Sequence, residues 1–143
     1  MRRTRFFALT AILIAAILGT SARRCSAQKI YILTDLEGAS GVYKFAQTRE
    51  EGPLNELAKE YLMGDIAAVV RGLREGGATE IVILDGHGSQ AFVPHLMESG
   101  ATYITGKPRP CFMCDLDESF AGIVQLGAHA MMGTPDGVLC HTQ

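Results

Sequence analysis

Apolar and polar positions alternate along this chain in blocks of different period. Gln28 to Asp35 reads QKIYILTD, a short apolar run closed by a carboxylate, and its length and β-branched content predict a buried strand. Leu54, Leu57, Ala58, Tyr61, Leu62, Ile66, Val69, Val70 and Leu73 then recur at spacings of three, four and one. That spacing predicts a helix of about six turns with one apolar face, stopped by Gly76-Gly77. Ile81-Val82-Ile83-Leu84 is a second continuous apolar run, ending in Asp85-Gly86-His87-Gly88. Strand, helix and strand in this order predict a right-handed βαβ crossover, and uninterrupted apolar strands belong to a parallel sheet covered on both faces. Beyond it, Ala91 to Met97 predicts a short helix, Ala101 to Ile104 a short strand and Gly122 to Gly127 another. The fold class is α/β: a parallel-sheet βαβ domain in three layers, with no internal repeat, low-complexity tract or dividing linker.

The first residues have a different pattern. Arg2, Arg3 and Arg5 precede an apolar stretch from Phe6 to Leu18 interrupted only by Thr10, a positive segment followed by a hydrophobic one. The stretch is shorter than the roughly 20 residues a helix needs to cross a hydrocarbon core, which favours an exported, cleaved signal over an uncleaved anchor. Small residues suited to processing stand at Thr20-Ser21-Ala22 and at Cys25-Ser26-Ala27. Cleavage after Ala27 makes residues 1–27 a signal peptide and 28–143 the working domain, in the periplasm or secreted, with no stable membrane span. A lipidated Cys25 fits less well, because Arg23 and Arg24 stand where small residues belong.

Composition narrows the class. Of 143 residues, 48% are apolar and 20% charged, which suits one globular domain and excludes a disordered or disulfide-dense chain. Thirteen Lys and Arg against fifteen Asp and Glu leave a formal charge of -2, and the positive charge is concentrated in the first 24 residues. Nucleic acid is therefore excluded as a partner of the working domain.

The candidate chemistry lies at strand ends, where the loops of a parallel sheet diverge and leave a crevice. The first strand delivers Asp35 and Glu37, the second Asp85 and His87, and the last His129 in Gly127-Ala128-His129-Ala130. Carboxylate and imidazole together form the ligand set of a catalytic zinc, and a bridging carboxylate is what a two-metal hydrolytic site requires. Each residue also has a plainer reading: Asp35 as a turn cap, Asp85-Gly86 as an Asx turn, a histidine as a hydrogen-bonded core or surface residue.

Thr34-Asp35-Leu36-Glu37-Gly38 resembles the x-Asp-x-Glu-Gly part of the Ser-x-Asp-x-Glu-Gly element of the DppA-type zinc D-aminopeptidases, with Leu33 at the position of the serine. Asp85-Gly86-His87 resembles that family's second strand end. Gly127-Ala128-His129-Ala130, Gly133-Thr134-Pro135 and Val138-Leu139-Cys140-His141-Thr142 are similar to its third block. Gly106-Lys107-Pro108 and Asp115 to Phe120 sit where the family has comparable segments, so the resemblance covers Lys29 to Thr142. It implies a metallopeptidase with two zinc ions that removes an N-terminal D-amino acid, such as D-alanine, from short D-amino-acid-containing peptides, in a homo-oligomer. Asp35 would match the bridging carboxylate, Glu37 a ligand of one zinc, and His87 and His129 the imidazoles. His141 would match the catalytic histidine, passing a proton to the leaving amine or attacking the carbonyl itself.

Members of that family continue beyond the point where this chain ends and draw a further carboxylate ligand from there. The expectation that follows is a domain incomplete at its C-terminus, with one zinc under-coordinated. A catalytically inactive metal-binding fragment and another small-substrate metallohydrolase on the same scaffold are the alternatives.

Two motifs stand apart from this reading. Cys111-Phe112-Met113-Cys114 is a CxxC without the second Cys or His pair of a structural zinc site, open to a local disulfide or to buried free thiols. Removal of Cys25 would leave three cysteines, with Cys140 the odd one. Gly38-Ala39-Ser40-Gly41 lacks the spacing of a phosphate-cradling loop, and no nucleotide is expected.

Overall fold

The computed structural model describes residues 28–88 and 90–141. The predicted signal peptide, residues 1–27, lies outside them. Four strands, β1 (Gln28–Thr34), β2 (Ala78–Asp85), β3 (Thr102–Ile104) and β4 (Gly122–Leu126), pair in parallel in the order β3-β2-β1-β4. The chain steps outward from β1 to β2 to β3 and then returns to the other side of β1. The topological switch point therefore falls between β1 and β4, where parallel sheets open a crevice at their carboxyl ends.

The link between β1 and β2 carries α1 (Pro53–Glu75). Pro53 stands in the first turn, where a missing N–H costs nothing, and Gly77 leaves the helix at φ +98, a conformation open to glycine. Ala58, Leu62, Met63, Ile66 and Val70 form its buried stripe. That stripe packs on Ile32, Ile81 and Ile83, the side chains of β1 and β2 that point to one face of the sheet. Tyr31, Val82 and Leu84 point to the other face and are covered by Leu116 and Phe120. The sheet is thus covered on both faces, but among the described residues the third layer is irregular chain rather than helix.

The expected helix over Ala91–Met97 is not there: only Pro94–Leu96 makes a single 3-10 turn. Val93 is held extended at φ -106, ψ 106, the conformation a following proline ring imposes, and Met97 is extended again, so no α-turn propagates. Among the described residues no helix is long and apolar enough to cross a membrane.

Candidate metal centre

Three glycine-bearing loops leave the carboxyl ends of β1, β2 and β4 almost in contact. Asp35 N donates to the Leu126 carbonyl at 2.8 Å, Gly38 N to the Gly127 carbonyl at 2.7 Å and Gly86 N to the Thr34 carbonyl at 2.9 Å. A Cβ on Gly86 would run into the Thr34 carbonyl, and one on Gly127, at φ +73, into the Asp35 carbonyl. These close approaches bring the side chains after the three strands to one point.

There, Asp35 presents its two oxygens to two different imidazoles: Oδ1 lies 3.3 Å from His87 Nδ1 and Oδ2 lies 3.6 Å from His129 Nε2. Glu37 Oε2 is 2.8 Å from the same His87 Nδ1. The ligand atoms of Asp35, Glu37 and His87 all fall within 4.8 Å of one another.

Each ring is oriented from behind by a main-chain carbonyl. His87 Nε2 donates to the Thr48 carbonyl at 3.0 Å and His129 Nδ1 to that of Ala130 at 2.8 Å, so His87 Nδ1 and His129 Nε2 face the carboxylates. This is the arrangement that fixes a metal-ligating histidine. His141 stacks on His129 with ring centroids 3.4 Å apart, and its Nδ1 donates to the Leu139 carbonyl at 2.7 Å. Leu139 holds φ +53, a left-handed conformation that disfavours a bulky residue, while its side chain is buried in the core.

The donor set fits a divalent cation. Asp35 Oδ2 and both oxygens of Glu37 are buried without a hydrogen-bond partner, and the Glu37 contact to His87 is an ion-pair distance without hydrogen-bond alignment. Buried carboxylate oxygens left in this way are costly unless a cation takes them. Without a metal, a proton on His87 serves as the cation. Burial by itself would lower the His87 pKa, but its bonds to Asp35 and Glu37 outweigh that and raise it to about 10. Burial likewise opposes ionisation of Glu37, yet the contacts to His87 and Asp35 bring it down to about 2.

Asp85, expected as another metal-binding candidate, is not part of the cluster. Its Oδ1 accepts the His87 amide at 3.1 Å, and its Oδ2 accepts the Ala91 amide at 2.9 Å and the Thr105 hydroxyl at 3.1 Å. Burial pushes its carboxyl above the ordinary carboxylate range despite these bonds. Its work is to hold the loop that carries His87. Ser40 N, in the glycine-rich turn, is likewise taken, by Asp65 Oδ2 at 2.8 Å.

The cluster opens into a cleft of about 1070 Å³ whose walls include Arg49, Phe112, Met113, Ile123, Gln125 and His141. Sequence reasoning missed the Thr48 carbonyl and the Arg49 side chain, which lie in an irregular loop with no periodic signal. The glycines at 86 and 127, each placed just past a strand, were the visible sign that strand ends meet.

Buried carboxylates and imidazoles gathered at the switch point of a parallel α/β sheet are the donor types from which metal-dependent hydrolytic sites are built. The D-aminopeptidase family model matches residues 28–143, and the chain belongs to that family. Among solved structures it is similar to the Zn-dependent D-aminopeptidase DppA from Bacillus subtilis, a self-compartmentalizing protease. The TM-score is 0.73 at 26% identity, over 80% of this chain and 42% of that one, so the chain spans less than half of that relative's length. No match is found among curated proteins.

Proposed function

We propose that the protein is a zinc-dependent aminopeptidase that releases N-terminal D-amino acids, such as D-alanine, from short peptides. The observation that carries this reading is Asp35, a buried carboxylate whose two oxygens face His87 and His129 separately, a placement that would suit a ligand shared between two ions. Family membership supplies the reaction class. DppA is Zn-dependent and self-compartmentalizing, and both properties are extended here to this protein as zinc held by Asp35, Glu37, His87 and His129 in a homo-oligomer; two ions are proposed from the two-sided placement of Asp35.

Zinc held by Asp35, Glu37, His87 and His129 would supply Lewis acidity for activating water and polarising a scissile carbonyl. Asp35 and Glu37 bring the negative charge that retains the cation. The Thr48 and Ala130 carbonyls accept from His87 Nε2 and His129 Nδ1, so His87 Nδ1 and His129 Nε2 are the nitrogens turned to the cluster as ligands. His141 donates Nδ1–H to the Leu139 carbonyl, so Nε2 is its basic nitrogen, the atom that takes a proton and delivers it to the leaving amine. Arg49 offers the cleft a guanidinium for a peptide carboxylate or carbonyl.

The test is release of free amino acid from D-alanyl and L-alanyl dipeptides, with zinc, after chelation and in His141→Ala. Release of D-alanine that needs zinc and His141 is expected. Equal rates on both enantiomers, or undiminished release after chelation, would overturn the proposal.

A further inference from the structure

The CxxC motif has no place in the metal chemistry, yet it sits on the wall of the same cleft. The Sγ atoms of Cys111 and Cys114 lie 2.8 Å apart, and both cysteines are free. Cys111 is exposed and Cys114 buried. Between them, Phe112 and Met113 line the cleft beside the metal cluster, and Phe112 is 63% exposed. The loop is tied to the sheet by side-chain donors to main-chain carbonyls: the buried Tyr31 hydroxyl donates to the Cys114 carbonyl at 2.7 Å, and Arg109 donates to the Asp85 carbonyl at 2.8 Å.

We propose that Cys111 and Cys114 form a thiol–disulfide exchange site for small disulfides, and that the closed disulfide pins Phe112 and Met113 on the cleft wall. The order of events follows from exposure. Cys111, as thiolate, attacks one sulfur of a small disulfide, forming a mixed disulfide and releasing one thiol. Cys114 Sγ, already alongside, then attacks the Cys111 sulfur and expels the second thiol. One disulfide is reduced to two thiols while two cysteine thiols are oxidised, and the two protons pass to solvent or to the departing thiolates. The hydrogen bond to Cys114, with burial and nearby negative groups adding to it, holds the Cys111 thiol above its ordinary pKa, so this exchange is slow at neutral pH. The site does not depend on what the metal centre does.

The test is incubation of the full chain with oxidised glutathione, followed by mass mapping of the peptide that carries residues 111–114. That peptide should lose two hydrogens and regain them on reduction. Cys114→Ser should instead trap glutathione on Cys111, and Cys111→Ser should trap none. Thiols that stay free in the unmutated chain, or that pair with Cys25, Cys140 or a second chain, would overturn the exchange site independently of how either variant folds. The pinned wall is read by chymotrypsin: cleavage after Phe112, scored after reduction, should be lost on oxidation, and cleavage at equal rates in both forms would refute it.

Discussion

Gly38→Ala is the sharpest probe of how the metal cluster is assembled. An added Cβ would lie 2.5 Å from the Ala128 carbonyl oxygen and 2.7 Å from the Gly127 carbonyl, where real Cβ atoms keep at least 3.0 Å. The β1 and β4 loops must therefore separate by 3.0 − 2.5, or 0.5 Å at the least. That is about the 0.5 Å tolerance within which a functional constellation keeps its geometry. Glu37 precedes Gly38 and His129 follows Ala128, so the displacement acts directly between residues of the cluster. The strain of such overpacking is about 1–3 kcal/mol, and weakening the 2.7 Å bond from Gly38 N to the Gly127 carbonyl adds about 1 kcal/mol.

A loss of about 2–4 kcal/mol leaves a domain of ordinary stability folded, since such domains have about 5–15 kcal/mol in hand. Zinc affinity should fall by about 10–100-fold, as it does when groups that orient ligands are disturbed. The assay pairs urea unfolding of the metal-free protein with zinc titration of the folded one. Gly64→Ala serves as the control, because nothing lies within 4 Å of a Cβ at that exposed helical position. Alanine there should stabilise by about 0.5–1 kcal/mol. A Gly38→Ala protein as stable as its parent, with unchanged zinc affinity, would refute the claim that close backbone approach builds the site.

Three further outcomes are expected. Asp35→Asn should weaken zinc binding while leaving unfolding close to the parent, whereas Asp85→Ala should destabilise by about 3 kcal/mol or more through three orphaned donors; equal zinc affinity in parent and Asp35→Asn would remove Asp35 from the site. The metal-free protein should lose stability as pH rises from 6.5 toward 9, because a His87 raised from 6.5 to about 10 contributes in full below 6.5 and progressively less as pH climbs to its folded value. Saturating zinc replaces that proton and should flatten the loss, so a urea midpoint in chelator that increases across this range would contradict the assignment. If residues 1–27 are a cleaved export signal, mass spectrometry of the mature protein should find Gln28 at its N-terminus, and a retained Met1 would refute signal cleavage.

The sheet and α1 were legible because their side chains repeat with the period of the element that buries them. The apolar runs at Ile30–Leu33 and Ile81–Leu84 became neighbouring strands, and the helix that carries Leu54 to Leu73 ends at Glu75, directly before the Gly76-Gly77 stop. What was illegible had no period. The segment from Ala91 to Met97 has helix-compatible residues, yet Pro94 overrides them. The cover over Tyr31 is made by Leu116 and Phe120, isolated in a loop whose path is set by single bonds such as Tyr31 to Cys114.

The two strand-end aspartates show where reading a pattern stops and register decides. Thr34 of β1 pairs with Asp85 of β2, so Asp85 is still a strand residue while Asp35 is one step past the strand. Side chains alternate along a strand, and Asp85 shares the parity of Ile81 and Ile83, which places it on the buried α1 face with no solvent exposure. A carboxylate there persists only with full hydrogen bonding, and the amides of His87 and Ala91 with the Thr105 hydroxyl provide it. Asp35, one residue further along its own chain, leaves the ladder between Gly86 and Gly127 and turns both oxygens toward imidazoles. The same residue type at the end of adjacent strands thus becomes a loop anchor in one case and the centre of the site in the other, and a single residue of register separates them.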